Sequence, residues 1–465
     1  MEDLLAARSQ MAMSLAFHII LAVVGMAMPL LMIIAEGRWL RTGDPIFREL
    51  AKRWARGTAI IFAVGAVSGT VLSFELGLLW PTFMEHAGPL VGMPFSLEGF
   101  AFFLEAIFLG IYLYGWERIS PRAHWLAGLM VLLCGTASGI FVVTANAWMN
   151  APTGFDFIDG QFVNIRPWEA MFNPMWFTQC AHMVIAAFQS VAFAVAGIHA
   201  AMLLREHRNT FHRHAIAIAL PIAAITALAQ PLMGDLLAKA TAENQPVKLA
   251  AMEGHFETET RAPLRIFGLP DEDARTTPYA IEIPGVLSFL AYGDFDAEVR
   301  GLNDFPRDEW PPVAIVHIAF QIMVASGMWM LAISLLGVFL SWRRRRLFTA
   351  RWYLWLLVIT APMGIIAIEA GWVVTEVGRQ PWVIQGYMRT ADAVTPMTNL
   401  VVPFTVFSIL YLVLSVIVVY LLWRHVFQSP DLDTLQTLKD AAPPASEPPR
   451  ADTPDTSNAP LPDSD

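Results

Sequence analysis

Among the side chains able to bind metal or carry protons that interrupt apolar runs in this chain, six stand out. They are His18 in ARSQMAMSLAFH, Glu98 and Glu105 in LEGFAFFLE, His182, Met323, and Glu376 in GWVVTEVGRQPW. An ionisable group inside a bilayer is costly, so each one marks a candidate site. His, Met and carboxylate groups contributed singly by separate helices suit the axial positions of haem iron. His182 and Met323 make a candidate six-coordinate pair. His18 and Glu376 each suit one side of an iron whose other side stays open to a small ligand. Arg379, three residues beyond Glu376, and Arg8 offer cations for haem propionates near the membrane surface. Glu98 and Glu105 lie about two helical turns apart and share a face, as a proton relay requires.

Each residue taken alone has a plainer reading. A histidine near a helix end is commonly a satisfied structural group. His317 is a rival ligand a turn and a half before Met323, and His199 lies toward the inner face. Met323 is one of 22 methionines, whose common use is packing. Glu98 also suits a helix start favoured by the dipole, whereas FAFFLEAIFLG gives Glu105 no neighbouring cation. Trp372 is either an interfacial anchor or packs between cofactors. Cys134 and Cys180 read as small apolar fillers, with no disulfide framework.

The elements that must position these groups are membrane helices. The 465 residues are 56% hydrophobic and 15% charged, with a mean hydropathy of +0.50, whereas soluble domains carry roughly 25% charged residues. Apolar runs predict an all-α integral membrane protein with nine spans, near 11–35, 56–79, 96–116, 124–148, 176–203, 214–236, 313–340, 352–376 and 399–424. The net charge of −10 comes from acids in one loop and the tail, and gives no footprint for nucleic acid. MEDLLAARSQ is acidic where a cleaved leader would be basic.

Basic residues fall in alternate loops. Arg38, Arg41, Arg48, Lys52, Arg53 and Arg56 follow the first span, and Arg118 and Arg122 the third. Arg205, Arg208 and Arg213 follow the fifth, and Arg343 to Arg346 the seventh. This predicts a periplasmic N-terminus, a cytoplasmic C-terminus and an external segment 237–312. Residues 1–428 then form one transmembrane domain. The Pro-, Asp- and Ser-rich tail 429–465 is expected to be disordered and cytoplasmic. On this topology every candidate ligand falls in the outer half of the bilayer, which points to one shared site.

GRQPW at 378–382 is joined by ARSQMAMSLAFH at 7–18, LEGFAFFLE at 97–105, QPVKLAAMEG at 245–254 and, more weakly, ANAWMNAPTGF at 145–155. With these motifs the chain resembles subunit I of cytochrome bd-type quinol oxidases over nearly its whole length apart from the tail. The resemblance implies that His182 and Met323 ligate a low-spin b haem, and that His18 and Glu376 ligate two high-spin haems where oxygen is reduced. It implies that Glu98 and Glu105 line a proton path, and that Lys248 and Glu253 belong to an external quinol-binding loop. Two b-type haems and one d-type haem are the implied complement. FELGLLWPTFM at 74–84 and GRQPWVIQG at 378–386 look closer to the cyanide-insensitive branch, where the third haem is b-type in some members. The implied partners are an integral-membrane subunit II, in some assemblies a small single-span subunit, ubiquinol or menaquinol, and oxygen, in a bacterial inner membrane. One departure is Gln321, since relatives often carry arginine two residues before the matching methionine.

The expected reaction oxidises quinol at the periplasmic side and reduces oxygen to water with cytoplasmic protons, separating charge without a pump. A secondary transporter would also carry buried acids on broken helices, but it would be colourless and built from inverted repeats, and none stands out. A subunit that only passes electrons would lack an open iron.

Overall fold

Proline, glycine and short polar side chains punctuate the apolar runs where helices begin and end. A computed structural model describes residues 2–206, 209–344 and 347–430 of the protein, without the side chains of residues 343–344. Arg208, Arg345, Arg346 and the tail from 431 onward therefore lie outside the described residues. The helices are α1 (Asp3–Thr42), α2 (Pro45–Leu79), α3 (Pro81–Tyr114), α4 (Pro121–Asn150), α5 (Pro167–Met171), α6 (Trp176–Arg205) and α7 (Thr210–Asn244). They continue with α8 (Pro246–Glu253), α9 (Val286–Tyr292), α10 (Val313–Arg344), α11 (Arg351–Thr360), α12 (Met363–Val377), α13 (Thr390–Ala393) and α14 (Val401–His425). Among the described residues nine spans are long and apolar enough to cross a membrane, α11 and α12 together making the eighth. The expected all-α membrane architecture is what the structure shows.

Local chemistry explains the helix ends. Asp44 accepts a hydrogen bond from the Ile46 amide, and Pro45 occupies the first helical position of α2. Ser120 and Asn209 cap α4 and α7 in the same way. Gly43, with φ +71°, closes α1. Several helices overrun the predicted apolar windows: α1 begins at Asp3 and α7 runs on to Asn244, so the segment between the sixth and seventh spans is 245–312. Hydropathy marks what lipid covers, while helical hydrogen bonding continues past it. The eighth span breaks at Ala361 and Pro362, because proline supplies no amide to the ladder. Glycines let both halves press on α6. A Cβ at Gly197 would meet the Leu357 carbonyl at 2.5 Å, and one at Gly364 would meet the Ser190 Cα at 2.4 Å.

Four antiparallel two-stranded ribbons decorate the bundle: β1 (Asp156–Ile158) with β2 (Gln161–Val163), β3 (Glu259–Thr260) with β6 (Glu298–Val299), β4 (Leu264–Phe267) with β5 (Ala280–Ile283), and β7 (Trp382–Ile384) with β8 (Met388–Arg389). One end of the bundle is laced together by hydrogen bonds. The Leu400 amide donates to Asp3, the Thr395 amide to the Leu79 carbonyl, the Gln385 amide to the Met149 carbonyl, and Gln245 to the Gln385 side chain. At the opposite end Arg48 meets Glu117, and His212 meets Ser429. The alternation of basic and acidic loops along the chain is thus an alternation between two ends.

Candidate functional site

Glu376 ends α12 in a polar network. Its Oε2 accepts from Arg379 Nη2 at 2.6 Å, and its Oε1 accepts from Asn146 Nδ2 of α4. Asn146 Oδ1 in turn accepts from Asn150 Nδ2 at 3.1 Å and from Gln179 of α6. Asn150 Oδ1 receives Lys248 Nζ at 2.6 Å, and the same ammonium reaches the Thr375 carbonyl at 3.2 Å. Lys248 is therefore turned inward, from the short helix α8 onto the end of α12. Burial holds its ammonium well below the usual lysine range, the Arg379 charge adding to this and Glu376 opposing it. Arg379 is 2% exposed, yet its Nε and Nη1 have no hydrogen-bond partner. A buried guanidinium with unmatched donors calls for an anion. Arg8, the other expected cation, is partly buried in the first turns of α1.

The remaining candidate ligands face glycines. His18 of α1 sits beside α2, where a Cβ at Gly69 would come within 2.9 Å of its Cε1. Ser68 Oγ gives its hydrogen to the Gly65 carbonyl and lies 2.9 Å from His18 Nδ1. Nδ1 must then be the donor, leaving the Nε2 lone pair for a metal. Met323 of α10 points at α12, its Sδ lying 3.1 Å from where a Cβ at Gly371 would be. His182 of α6 stands 3.6 Å from the corresponding point at Gly234 of α7. Gln230 Nε2 rests 3.1 Å from His182 Nε2 and donates to the His182 carbonyl at 3.2 Å. Helices α6 and α10 both pack on α7 and on α12, so His182 and Met323 come from helices sharing two neighbours. This donor set, with glycine opposite three of the four side chains and an unmatched buried arginine beside the fourth, fits haem. Trp372 is partly buried against the core cluster that includes Ile19, Ala187 and Ile368.

Glu98 and Glu105 both turn toward α4, as their spacing predicts. Ser138 Oγ donates to Glu98 at 3.2 Å, and the Glu105 carboxylate, 5% exposed, lies 3.0 Å from a Cβ position at Gly135. Tyr112, another seven residues along α3, continues the face.

The segment 245–312 is pinned to α10. His317 binds the Met252 and Phe267 carbonyls, at 2.8 and 2.9 Å, through its two ring nitrogens. It is therefore engaged with the loop and not with a metal. One turn later, Gln321 donates to the Arg265 carbonyl at 2.9 Å and accepts from the Phe267 amide at 3.2 Å. Gln321 thus clamps β4. Glu253, at the end of α8, is 4% exposed with Oε2 unpartnered. Burial pushes its carboxyl up to about 8, against the opposing charge of Arg265. His199 lies at the other end of the bundle, 2.9 Å from His212 and within reach of the Trp54 indole.

The structure gathers Glu376, Arg379 and Lys248 into one network, sets Glu253 on the same helix as Lys248, and keeps the Glu98–Glu105 row on α3. Asn146, Asn150 and Gln179 were missed in the sequence, as were the buried pairs Glu75–Gln10 and Glu36–His124. Amides and acids inside apolar runs, such as the two asparagines of ANAWMN, were the available signal.

The sequence model of a family described as "Cytochrome bd terminal oxidase subunit I" matches residues 6–430. A Bacillus subtilis (strain 168) protein named "Putative cytochrome bd menaquinol oxidase subunit I" is 40% identical over 94% of this chain and 100% of its own length. A second protein of that strain, named "Cytochrome bd ubiquinol oxidase subunit 1", is 30% identical over 93% of this chain and 95% of its own. The solved structure of bd oxidase from Geobacillus thermodenitrificans superposes with a TM-score of 0.88 at 41% identity, covering 92% of this chain and 99% of that one.

Proposed function

The chain belongs to the cytochrome bd terminal oxidase subunit I family, and from that membership we propose that it oxidises quinol at the end carrying residues 245–312 and reduces oxygen to water. The observation that carries this reading is the hydrogen-bonded chain from Lys248 through Asn150 and Asn146 to Glu376 and Arg379. It ties the external segment to a candidate iron ligand.

His182 with Met323, and His18 and Glu376 singly, would hold haem, and Arg379 and Arg8 would face its propionates. Bound haem supplies electron transfer and an iron that binds oxygen. The complement is two b-type haems and a third of d or b type. Glu253 takes a quinol hydroxyl proton at its unpartnered Oε2, and a carboxyl near neutrality can pass that proton to the outside. Lys248 holds α8 against α12 so that this carboxyl stays in place. Glu98 and Glu105 hold protons drawn from the end with the basic loops.

The balance is O2 + 4H+ + 4e− → 2H2O. With protons taken from the cytoplasm and quinol protons released outside, each transferred charge works against about 2.3 kcal/mol per 100 mV. The apolar surface of α14, from Val402 through Val406, Leu412 and Val416 to Val419, is exposed; it suits lipid or the integral-membrane subunit II. We place the complex in the bacterial inner membrane. The branch motifs predict oxygen uptake that persists in cyanide. Glu376→Ala tests the reading: one high-spin haem signal and most oxygen consumption should disappear, and normal spectra with normal turnover would overturn it.

A further inference from the structure

The external segment holds a buried cluster that the reaction above does not use. His255, two residues beyond Glu253, is fully buried, and its Nδ1 lies 2.8 Å from Arg265 Nη1. Arginine can only donate, so Nδ1 is the acceptor; the ring's hydrogen sits on Nε2, which faces the Val299 carbonyl at 3.3 Å. The imidazole is therefore neutral and of fixed tautomer. Arg265 is held from three other sides. Its backbone carbonyl is gripped by Gln321, its Nε donates to Glu282 of β5 at 3.0 Å, and its Nη2 lies 3.9 Å from Glu259 of β3. Its charge acts on Glu253. Lys248 shares α8 with Glu253 but is bound inward to Asn150, and His317 of α10 is bound to the Met252 carbonyl.

We infer that His255 is a positioning residue for quinol oxidation: its Nδ1 holds the Arg265 guanidinium within range of the Glu253 carboxyl, and so sets how readily that carboxyl takes the quinol proton. This rests on the quinol site proposed above. A proton leaves the quinol hydroxyl and forms an O–H bond at Glu253, while the electrons leave by the haem-bearing part of the protein. Arg265 favours the carboxylate that must receive that proton. His255 does not carry the proton. Burial, followed by the Arg265 charge, presses its own affinity down to about 4, and protonation would break its contact with the arginine.

The test is the pH profile of quinol-dependent oxygen uptake by the purified complex in Arg265→Gln, His255→Phe, His255→Gln and the Arg265→Gln/His255→Phe double variant. Arg265→Gln should move the rising limb at least one pH unit to higher pH, which lowers turnover about tenfold on that limb. His255→Phe should shift it in the same direction. His255→Gln, whose amide oxygen can still accept from arginine, should restore much of the original profile. The double variant should shift no further than Arg265→Gln alone. Unmoved profiles in Arg265→Gln and His255→Phe, with Glu253→Gln inactive, would overturn this inference and leave the quinol site standing. Full activity in Glu253→Gln would overturn the quinol site itself.

Discussion

Lys248 and Glu376 are joined through two asparagines: Lys248 Nζ donates to Asn150 at 2.6 Å, and Asn146, one helical turn earlier, donates to the Glu376 carboxylate. Removing the middle of this chain should be costly, because a buried donor left without its partner costs about 1–3 kcal/mol. Asn150→Ala is expected to lower the melting temperature of the complex. It should also perturb the high-spin haem absorbance, since Asn146 and with it Glu376 lose support. A variant with unchanged melting and unchanged spectra would show that the network does not brace the carboxylate.

Met323 packs closely over Gly371, which has no side chain. A Cβ there would stand 3.1 Å from the thioether sulfur. Gly371→Ala should push Met323 aside and convert part of the low-spin haem to high-spin, as Met323→Leu should do fully. Reduced-minus-oxidised spectra check both. A low-spin band of unaltered height in Met323→Leu would remove this residue as a ligand.

Glu105 lies buried in an apolar stretch with Gly135 against its carboxylate. Glu105→Gln keeps the shape and removes the proton site. Steady-state oxygen uptake should fall about 100-fold, the scale of a lost proton-transfer group, with haem spectra unchanged. Wild-type turnover would place the proton path elsewhere.

The Glu253 carboxyl is pushed from 4.5 to about 8 by burial, so between those values the folded chain keeps a proton that the unfolded chain has released. Stability from this group is therefore fully present below about pH 4.5 and declines as pH rises toward 8. Glu253→Gln should flatten that decline. Melting temperatures recorded across this pH window would show it, and parallel curves for the two proteins would refute it.

Period and hydropathy made the nine spans legible, because lipid forces every span to satisfy its own backbone. They did not show that α1 starts at Asp3 or that α7 reaches Asn244, since those turns pack on protein or face water. The Glu98–Glu105 face was legible from helical spacing alone. The inward course of Lys248 was not. A lysine at the fourth position of QPVKLAAMEG, between two spans, reads as exposed, and only the fold brings Asn150 and the Thr375 carbonyl to it. Likewise Gln321 looked like a missing charge, while its amide turns out to clamp β4. Long-range hydrogen bonds of this kind leave no period in the sequence.

Haem in the purified complex is the most direct test of the account. A pyridine haemochrome assay with a reduced-minus-oxidised spectrum should give a Soret band, b-type haem, and a third haem of d or b type. A pure, folded preparation with no Soret band would contradict it.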